Sequence, residues 1–493
     1  MRHRLRLLAL LLVPGALVAQ SPASVQRAAQ SITPDDVRRR IGILADDSMR
    51  GRDTPSPELE KVAAYIASEF RRFGLKPGGD NSTFLQRYAI DRVRFVPESS
   101  VAVMHGAGDA TLTYGTDFLF ADNGFTSGDY AGELVLLSGP LGGATQADTT
   151  ALAGKMLLLA TSPRSGAERR RVLAWRPAGV VFVAQLPDST WARVAAGSGR
   201  PQLRDPGRRV GPPVVLAVRA GSLQPILARL GVDLAAAPAA KPLGVQLHVH
   251  AAIHTVERNS APNVVGILEG SDPRLKKEYV VFSGHMDHLG VGRPVSGDSI
   301  YNGADDDASG TTAVVEAAEA FAGLNPRPKR SLIFLTVSGE EKGLWGSAYF
   351  ADHPPVPVAD IVADLNTDMV GRNWKDTIVV IGKEHSDLGA TLNRVGAAHP
   401  ELNMRPIDDI WPQENFYIRS DHYNFARKGV PILFFFNGTH PDYHRPSDTV
   451  DKIDAEKESR IVKLVFYLGL EVANAAERPK WNPDSYKRIV PGN

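Results

Sequence analysis

The chain of 493 residues contains no cysteine. It therefore has no disulfide framework, no thiolate nucleophile and no Cys-based zinc or iron–sulfur site. It also has almost no net charge: 56 Lys+Arg against 55 Asp+Glu leave +1, which argues against nucleic acid as a partner, since that usually demands a basic excess. No Gly-x-Ser-x-Gly elbow, P-loop or dinucleotide fingerprint occurs, so serine hydrolase and nucleotide readings have no support. No internal repeat is visible. What is present is ordinary: 43% apolar and 23% charged residues, enough apolar surface to exclude disorder as the dominant state. At about 150 residues per domain, the length suggests two or three structural units.

The first residues read as a targeting segment. Arg2, Arg4 and Arg6 precede an apolar run from Leu7 to Val18 that Pro14 interrupts. That run is shorter than the roughly 20 residues a bilayer span needs, and the pattern predicts a signal peptide over 1–19 with Ala19 as its last residue. Its removal takes three Arg and leaves a mature net charge of −2, with no membrane span. An exported, cysteine-free chain fits a bacterial periplasm or exterior, where a large core makes disulfides unnecessary.

Residues 56–74 carry a helix pattern: Ser56 as N-cap, Pro57 at the first position and Gly74 as the stop. Val62, Ile66, Phe70 and Phe73 form its apolar stripe. Residues 122–258 read as a separate, β-rich unit. Its apolar runs are Leu134–Leu137, Met156–Ala160, Val180–Ala184 and Val214–Val218, and an Ala/Pro stretch spans 235–242. Ten Arg against three acids in 164–209 read as a solvated loop surface rather than a docking face, because turn residues separate them. His248 and His250 alternate on one strand as an exposed face. From Asn263 onward, short apolar runs alternate with helical stretches at 309–323, 386–398, 420–428 and 455–475. The runs are 264–268, 279–283, 332–337, 361–365, 378–381 and 432–436. This predicts an α/β fold, a mostly parallel sheet sandwiched by helices.

Ligands in open α/β sheets bind beyond the C-terminal ends of strands. Each run here is followed by polar residues. Gly284-His285-Met286-Asp287-His288 follows the second run, Gly339-Glu340-Glu341 the third and Asn366-Thr367-Asp368-Met369 the fourth. Asp305-Asp306-Asp307 precedes the first helical stretch, and His440-Pro441-Asp442-Tyr443-His444 follows the last run. Singly, each has an ordinary explanation as a turn, a cap or a solvated loop. Together they bring carboxylates and imidazoles to one sheet edge, where the acids would repel each other if bare. A pair of divalent cations sharing one carboxylate would supply the missing positive charge. His with Asp/Glu is a zinc ligand set, with cobalt or manganese as alternative occupants.

At this point a resemblance becomes specific. His285-x-Asp287, Gly303-Ala304-Asp305-Asp306-Asp307-Ala308-Ser309-Gly310, Glu340-Glu341-x-Gly343-Leu344-x-Gly346-Ser347, Asp368-Met369, Ser420-Asp421-His422 and His444-x-x-x-Asp448-Thr449 resemble, in order, the two-zinc exopeptidase family of bacterial leucyl aminopeptidases, metallopeptidase family 28. Gly51-Arg52 and the 56–74 helix resemble that family's N-terminal segment. The resemblance implies a zinc peptidase domain over 33–121 and 259–476, with 122–258 as an inserted protease-associated-like domain. It implies that His285 and Asp368 hold one zinc, that Glu341 and His444 hold the other, and that Asp306 bridges two Zn2+ ions. Asp287 would orient His285, and Glu340 would be the general base toward a zinc-activated water. Tyr417 would donate to the oxyanion, and the Asp306–Asp307 peptide bond would be cis. Relatives often carry a disulfide around that Tyr; the flanking positions here are Asn415 and Arg419. The implied activity is an exported aminopeptidase acting on peptide substrates. The alternatives are a carboxypeptidase or dipeptidase of the same family, or a non-catalytic binding module on the same scaffold. No motif speaks to oligomeric state or side-chain preference.

Overall fold

The computed structural model describes residues 20–96, 101–105, 109–121, 127–137, 150–160, 166–207, 213–232, 234 and 240–490. The expected signal peptide and most of the Ala/Pro stretch lie outside these. The chain divides into two compact units, one of residues 1–88 and 261–493, the other of 89–260. Among the described residues no helix is long and apolar enough to cross a membrane.

The first unit is built on a mixed sheet. Strands Arg405–Ile407, Thr377–Ile381, Ile432–Phe436, Ile361–Thr367, Tyr279–His285, Ser331–Val337 and Ile253–Leu268 lie side by side in that order. The four from Ile432–Phe436 to Ser331–Val337 run parallel. Thr377–Ile381 is antiparallel to Ile432–Phe436, and Ile253–Leu268 to Ser331–Val337. Every residue of Ser331–Val337, Ile361–Thr367 and Ile432–Phe436 is buried. That is why these runs are continuously apolar instead of alternating: both faces are covered.

Helices Gly310–Ala322 and Ala455–Asn474 supply part of that cover, with Phe282, Phe321, Phe334 and Phe466 packing ring on ring. Each such buried side chain stabilises the fold by about 1.5–3 kcal/mol. Helix Pro57–Arg72 starts at Ser56, whose hydroxyl accepts from Leu59 N at 3.0 Å, and buries Val62, Ile66 and Phe70. It stops one residue short of the end of the expected stripe. Phe73 is its C-cap, half-buried beneath the guanidinium groups of Arg40 and Arg72. Arg40 is itself buried, 2.9 Å from Glu316 and 3.3 Å from Glu69, and so ties helix Pro34–Leu44 to helix Gly310–Ala322.

The second unit opens at Ala89, well ahead of the expected 122, and closes at Ser260. Strands Val101–His105, Ala110–Thr113 and Phe118–Phe120, read from sequence as part of the peptidase domain, pair inside the second unit's own sheet. Its four apolar runs are neighbours in parallel, Gly128–Leu137, Met156–Leu159, Gly179–Ala184 and Val214–Arg219. Helices Gly166–Ala174, Asp188–Ser198 and Ala220–Arg229 accompany them, so the unit is less purely β than the sequence suggested. His248 and His250 are exposed, and His250 Nδ1 lies 2.7 Å from Asp129.

Candidate metal centre

The polar residues that follow the parallel strands meet at one edge of the first unit's sheet. His285 ends the strand Tyr279–His285, Asp368 follows Ile361–Thr367, and Glu340 and Glu341 follow Ser331–Val337. Asp306 lies in the segment Ala304–Ser309 that leads into helix Gly310–Ala322. His285 Nε2 is 3.3 Å from Asp306 Oδ1 and 3.7 Å from Asp368 Oδ1. His444 Nε2 is 3.1 Å from Asp306 Oδ2 and 3.4 Å from Glu341 Oε2. The two oxygens of Asp306 thus face two different imidazoles, each paired with a further carboxylate. The five residues expected as ligands are brought together, with Asp306 in the middle.

Asp307 also falls in a cluster with His285 and Asp368. Its oxygens, however, are engaged by backbone N–H groups: His285 at 3.0 Å, Gly310 at 2.8 Å and Met369 at 3.1 Å. Asp307 is a brace joining three segments, and Asp306 is the carboxylate left open toward both imidazoles. The peptide bond between them is cis.

The Asp306 loop is gripped from two sides. Arg52 is fully buried and donates to the carbonyls of Asn302, Gly303 (2.6 Å) and Asp306 (3.3 Å). Asp448, also fully buried, accepts from the backbone N–H groups of Asp305 (3.0 Å) and Asp306 (3.1 Å). A Cβ at Gly303 would stand 2.2 Å from the Asp306 carbonyl and 2.5 Å from the His288 ring, so only glycine fits this turn. His444 and Met369 hold positive φ of 57° and 54°, a strained conformation that concentrates at functional sites.

Asp287 does something other than expected. Its carboxylate lies 3.7 Å from His285 Nδ1, whereas its backbone carbonyl is nearer at 3.2 Å. The carboxylate instead accepts from Thr54 Oγ1 at 2.9 Å and from the Glu340 backbone N–H at 3.3 Å. Asp287 therefore orients His285 through the main chain and fixes the Glu340 turn with its side chain. Asp368 is steadied by Ser420, whose hydroxyl donates to Oδ2 at 2.8 Å.

The motifs assign no role to His288. It is fully buried, with Nδ1 2.9 Å from Glu341 Oε1 and 3.8 Å from Asp306 Oδ2. The signal was visible, a second imidazole three residues after His285 in the same strand-end loop, but spacing alone did not say which way it pointed.

Charge at this edge is unbalanced. Burial opposes ionisation of Asp306, yet the imidazoles of His288, His285 and His444 hold its carboxyl well below the usual range. Against burial, Asp306 and Glu341 push His444 up to about 10. Burial pushes Glu340 well above the usual carboxyl range, with His285 acting the other way and Asp421, Glu341 and Asp368 adding like charge. Among the described residues, His288 Nε2 is buried without a hydrogen-bond partner, and the buried His285 Nε2, His288 Nδ1, Asp306 Oδ2 and Glu341 Oε1 face only the other imidazoles and carboxylates of the cluster. Such donor atoms, all His nitrogen or carboxylate oxygen, fit divalent metal of the zinc type. Metal would displace the protons that the imidazoles otherwise take up.

Tyr417 does not reach this edge. Its hydroxyl is buried without a hydrogen-bond partner, and its ring packs against His385, His422 and Tyr423. It belongs to the core side of its loop, because the short helix Phe416–Ile418 turns Phe416 toward the cavity instead. The tyrosine that lines the cavity is Tyr443, stacked on His444 with ring centroids 3.8 Å apart. Burial and the carboxylates of Asp306, Glu341, Asp368 and Glu340 push its phenol far above the usual range, so it stays a proton donor. Tyr443→Phe is expected to lower kcat by about 10²–10³-fold, the cost of losing one oxyanion donor. Tyr417→Phe is expected to change kcat less than threefold. The same steady-state assay on both variants checks this, and the opposite ranking would return the role to Tyr417.

Comparison with known proteins follows this geometry. Residues 263–469 match the model of peptidase family M28. A probable leucine aminopeptidase of Arthroderma benhamiae is 28% identical over 222 residues, covering 43% of this chain and 58% of that protein. A probable zinc metalloprotease of Pyricularia oryzae is 39% identical over 256 residues, covering 43% of this chain and 50% of that protein. The chain thus spans between half and three fifths of the length of these curated relatives. Among solved structures, an aminopeptidase from Aneurinibacillus sp. strain AM-1 aligns at 18% identity and TM-score 0.49, covering 93% of this chain and 98% of that one.

Proposed function

We propose, from the match of residues 263–469 to the model of peptidase family M28, that the chain is an exported aminopeptidase that removes N-terminal residues from peptides with two zinc ions. The observation that carries the reading is Asp306, one buried carboxylate whose two oxygens face His285 and His444 at 3.3 and 3.1 Å. His285 and Asp368 would hold one ion, Glu341 and His444 the other, and Asp306 both. Two ions held so close together would lower the pKa of water and polarise a carbonyl oxygen.

The chain's own groups supply the rest. Glu340 lines the same cavity as His285, Asp306, Asp368 and His444. Its raised pKa brings it toward the range of a base that takes a proton from the attacking water and returns it to the leaving amine. Tyr443 donates to the oxyanion as the carbonyl becomes tetrahedral. Asp287 holds the Glu340 turn in place through its backbone N–H. Export is supported by the basic start and short apolar run of residues 1–19, and 89–260 is proposed as a protease-associated-like domain inserted in the peptidase.

Chelation is the first test. Removing metal is expected to abolish hydrolysis of an aminoacyl anilide and to lower Tm. At metal levels about 100 times Kd, binding contributes about 2.7 kcal/mol to the folded state. Full activity after exhaustive chelation, or a melting curve that does not move, would overturn the metallopeptidase reading.

A further inference from the structure

Arg419 is the one Lys or Arg among the described residues that line the cavity beside the carboxylate cluster. Its side chain is half exposed, and its guanidinium carbon sits 4.7 Å from the centroid of the Phe416 ring. Among the described residues its ion pair is with the exposed Glu414, at 4.0 Å. That is too long for a charge-assisted hydrogen bond, which runs to about 2.7–2.9 Å. The side chain thus lies over Phe416 and lines the cavity, half open to solvent.

The wall also carries an apolar patch, Met369, Phe416, Phe434 and Phe436, beside the polar Ser420, Thr439 and Tyr443. Phe434 and Phe436 stack at 5.2 Å, and Phe416 packs on Phe436 at 4.8 Å. A charged substrate side chain pressed on this wall would lose hydration without compensation. An apolar side chain suits it. Any anionic group that reaches Arg419 then comes from the part of the substrate nearer the mouth.

We infer that Arg419 binds a substrate carboxylate, so that the favoured substrates are short peptides with an apolar N-terminal residue and a free C-terminal carboxylate. This rests on the aminopeptidase reading above and names the substrate class of the same cavity. Planar, forked donors suit a carboxylate in a way a lysine ammonium does not.

The test compares kcat/KM for Leu-Gly with Leu-Gly-amide, and for Glu-4-nitroanilide with Leu-4-nitroanilide, using zinc-replete wild type, Arg419→Gln and Arg419→Lys. Wild type is expected to favour Leu-Gly over its amide by about tenfold, the value of one charged hydrogen bond partly open to solvent. Arg419→Gln should bring that ratio close to one, and Arg419→Lys should keep part of it. If the Arg419-dependent preference falls on the Glu over the Leu anilide instead, the carboxylate bound is the side chain's. Equal rates within both pairs in wild type, or ratios unchanged in Arg419→Gln, overturn the inference while leaving the aminopeptidase reading intact. No turnover of any of the four overturns that reading and this one with it.

Discussion

Glu340→Gln is expected to keep its metal and lose its turnover, with kcat falling by about 10²–10⁴-fold or more. The amide preserves the size of the side chain and its hydrogen bonding, and the backbone N–H that Asp287 holds is unaffected. What is lost is the ability to accept a proton. The neighbouring Glu341→Gln should behave differently. Glu341 Oε1 is 2.9 Å from His288 and Oε2 is 3.4 Å from His444. Those imidazoles overcome burial and Asp306 to hold its carboxyl down at about 2. Its neutral substitute should weaken one metal position, with activity partly restored by excess zinc. Metal analysis and kinetics on the same preparations check both. If Glu340→Gln loses metal while Glu341→Gln retains all of it and loses only turnover, the two roles are reversed.

Asp306→Asn is expected to have the larger effect on metal content. Among the described residues, its carboxylate is the one that reaches both His285 and His444, at 3.3 and 3.1 Å, so a neutral amide there removes negative charge from both metal positions at once. Both sites should fall in occupancy together, and the stabilisation that saturating zinc confers, about 2.7 kcal/mol at 100 times Kd, should largely disappear. Asp307→Asn offers a contrast. Asp307 accepts three backbone N–H bonds, so an amide that cannot accept all of them should cost stability before it costs metal. Zinc titration followed by thermal melts distinguishes the two. An Asp306→Asn protein that still binds its full complement of metal would show that the shared carboxylate is elsewhere.

The catalytic sheet was legible because its strands are buried on both faces. Six continuous apolar runs stood out in the sequence, and residues beyond four of them converge with the Asp306 loop. The five expected ligands and Glu340 come together for the same reason, since most of their motifs follow strands whose topology leaves little freedom. Tyr417 failed where that constraint ends. It lies in a loop of short turns, and sequence could not say that Phe416 would face the cavity while Tyr417 turned into the core. Tyr443, within a quoted motif, was overlooked because nothing local marks one tyrosine as facing a cavity. Asp287 was assigned to the right neighbour by the wrong atoms, since spacing does not distinguish a carboxylate from the carbonyl of the same residue. The boundary at Ala89 was missed because short strands paired within the second unit have the same composition as strands of the first. Arg52 and Asp448 hold backbone groups more than 140 residues away in sequence, contacts that only the folded chain reveals.

The most direct test of the central claim is anomalous diffraction at the zinc edge from crystals of the zinc-loaded protein. Two peaks about 3.5–4 Å apart are expected, on either side of Asp306, one beside His285 and Asp368 and the other beside Glu341 and His444. A single peak, or two that do not share Asp306, would contradict the two-zinc account.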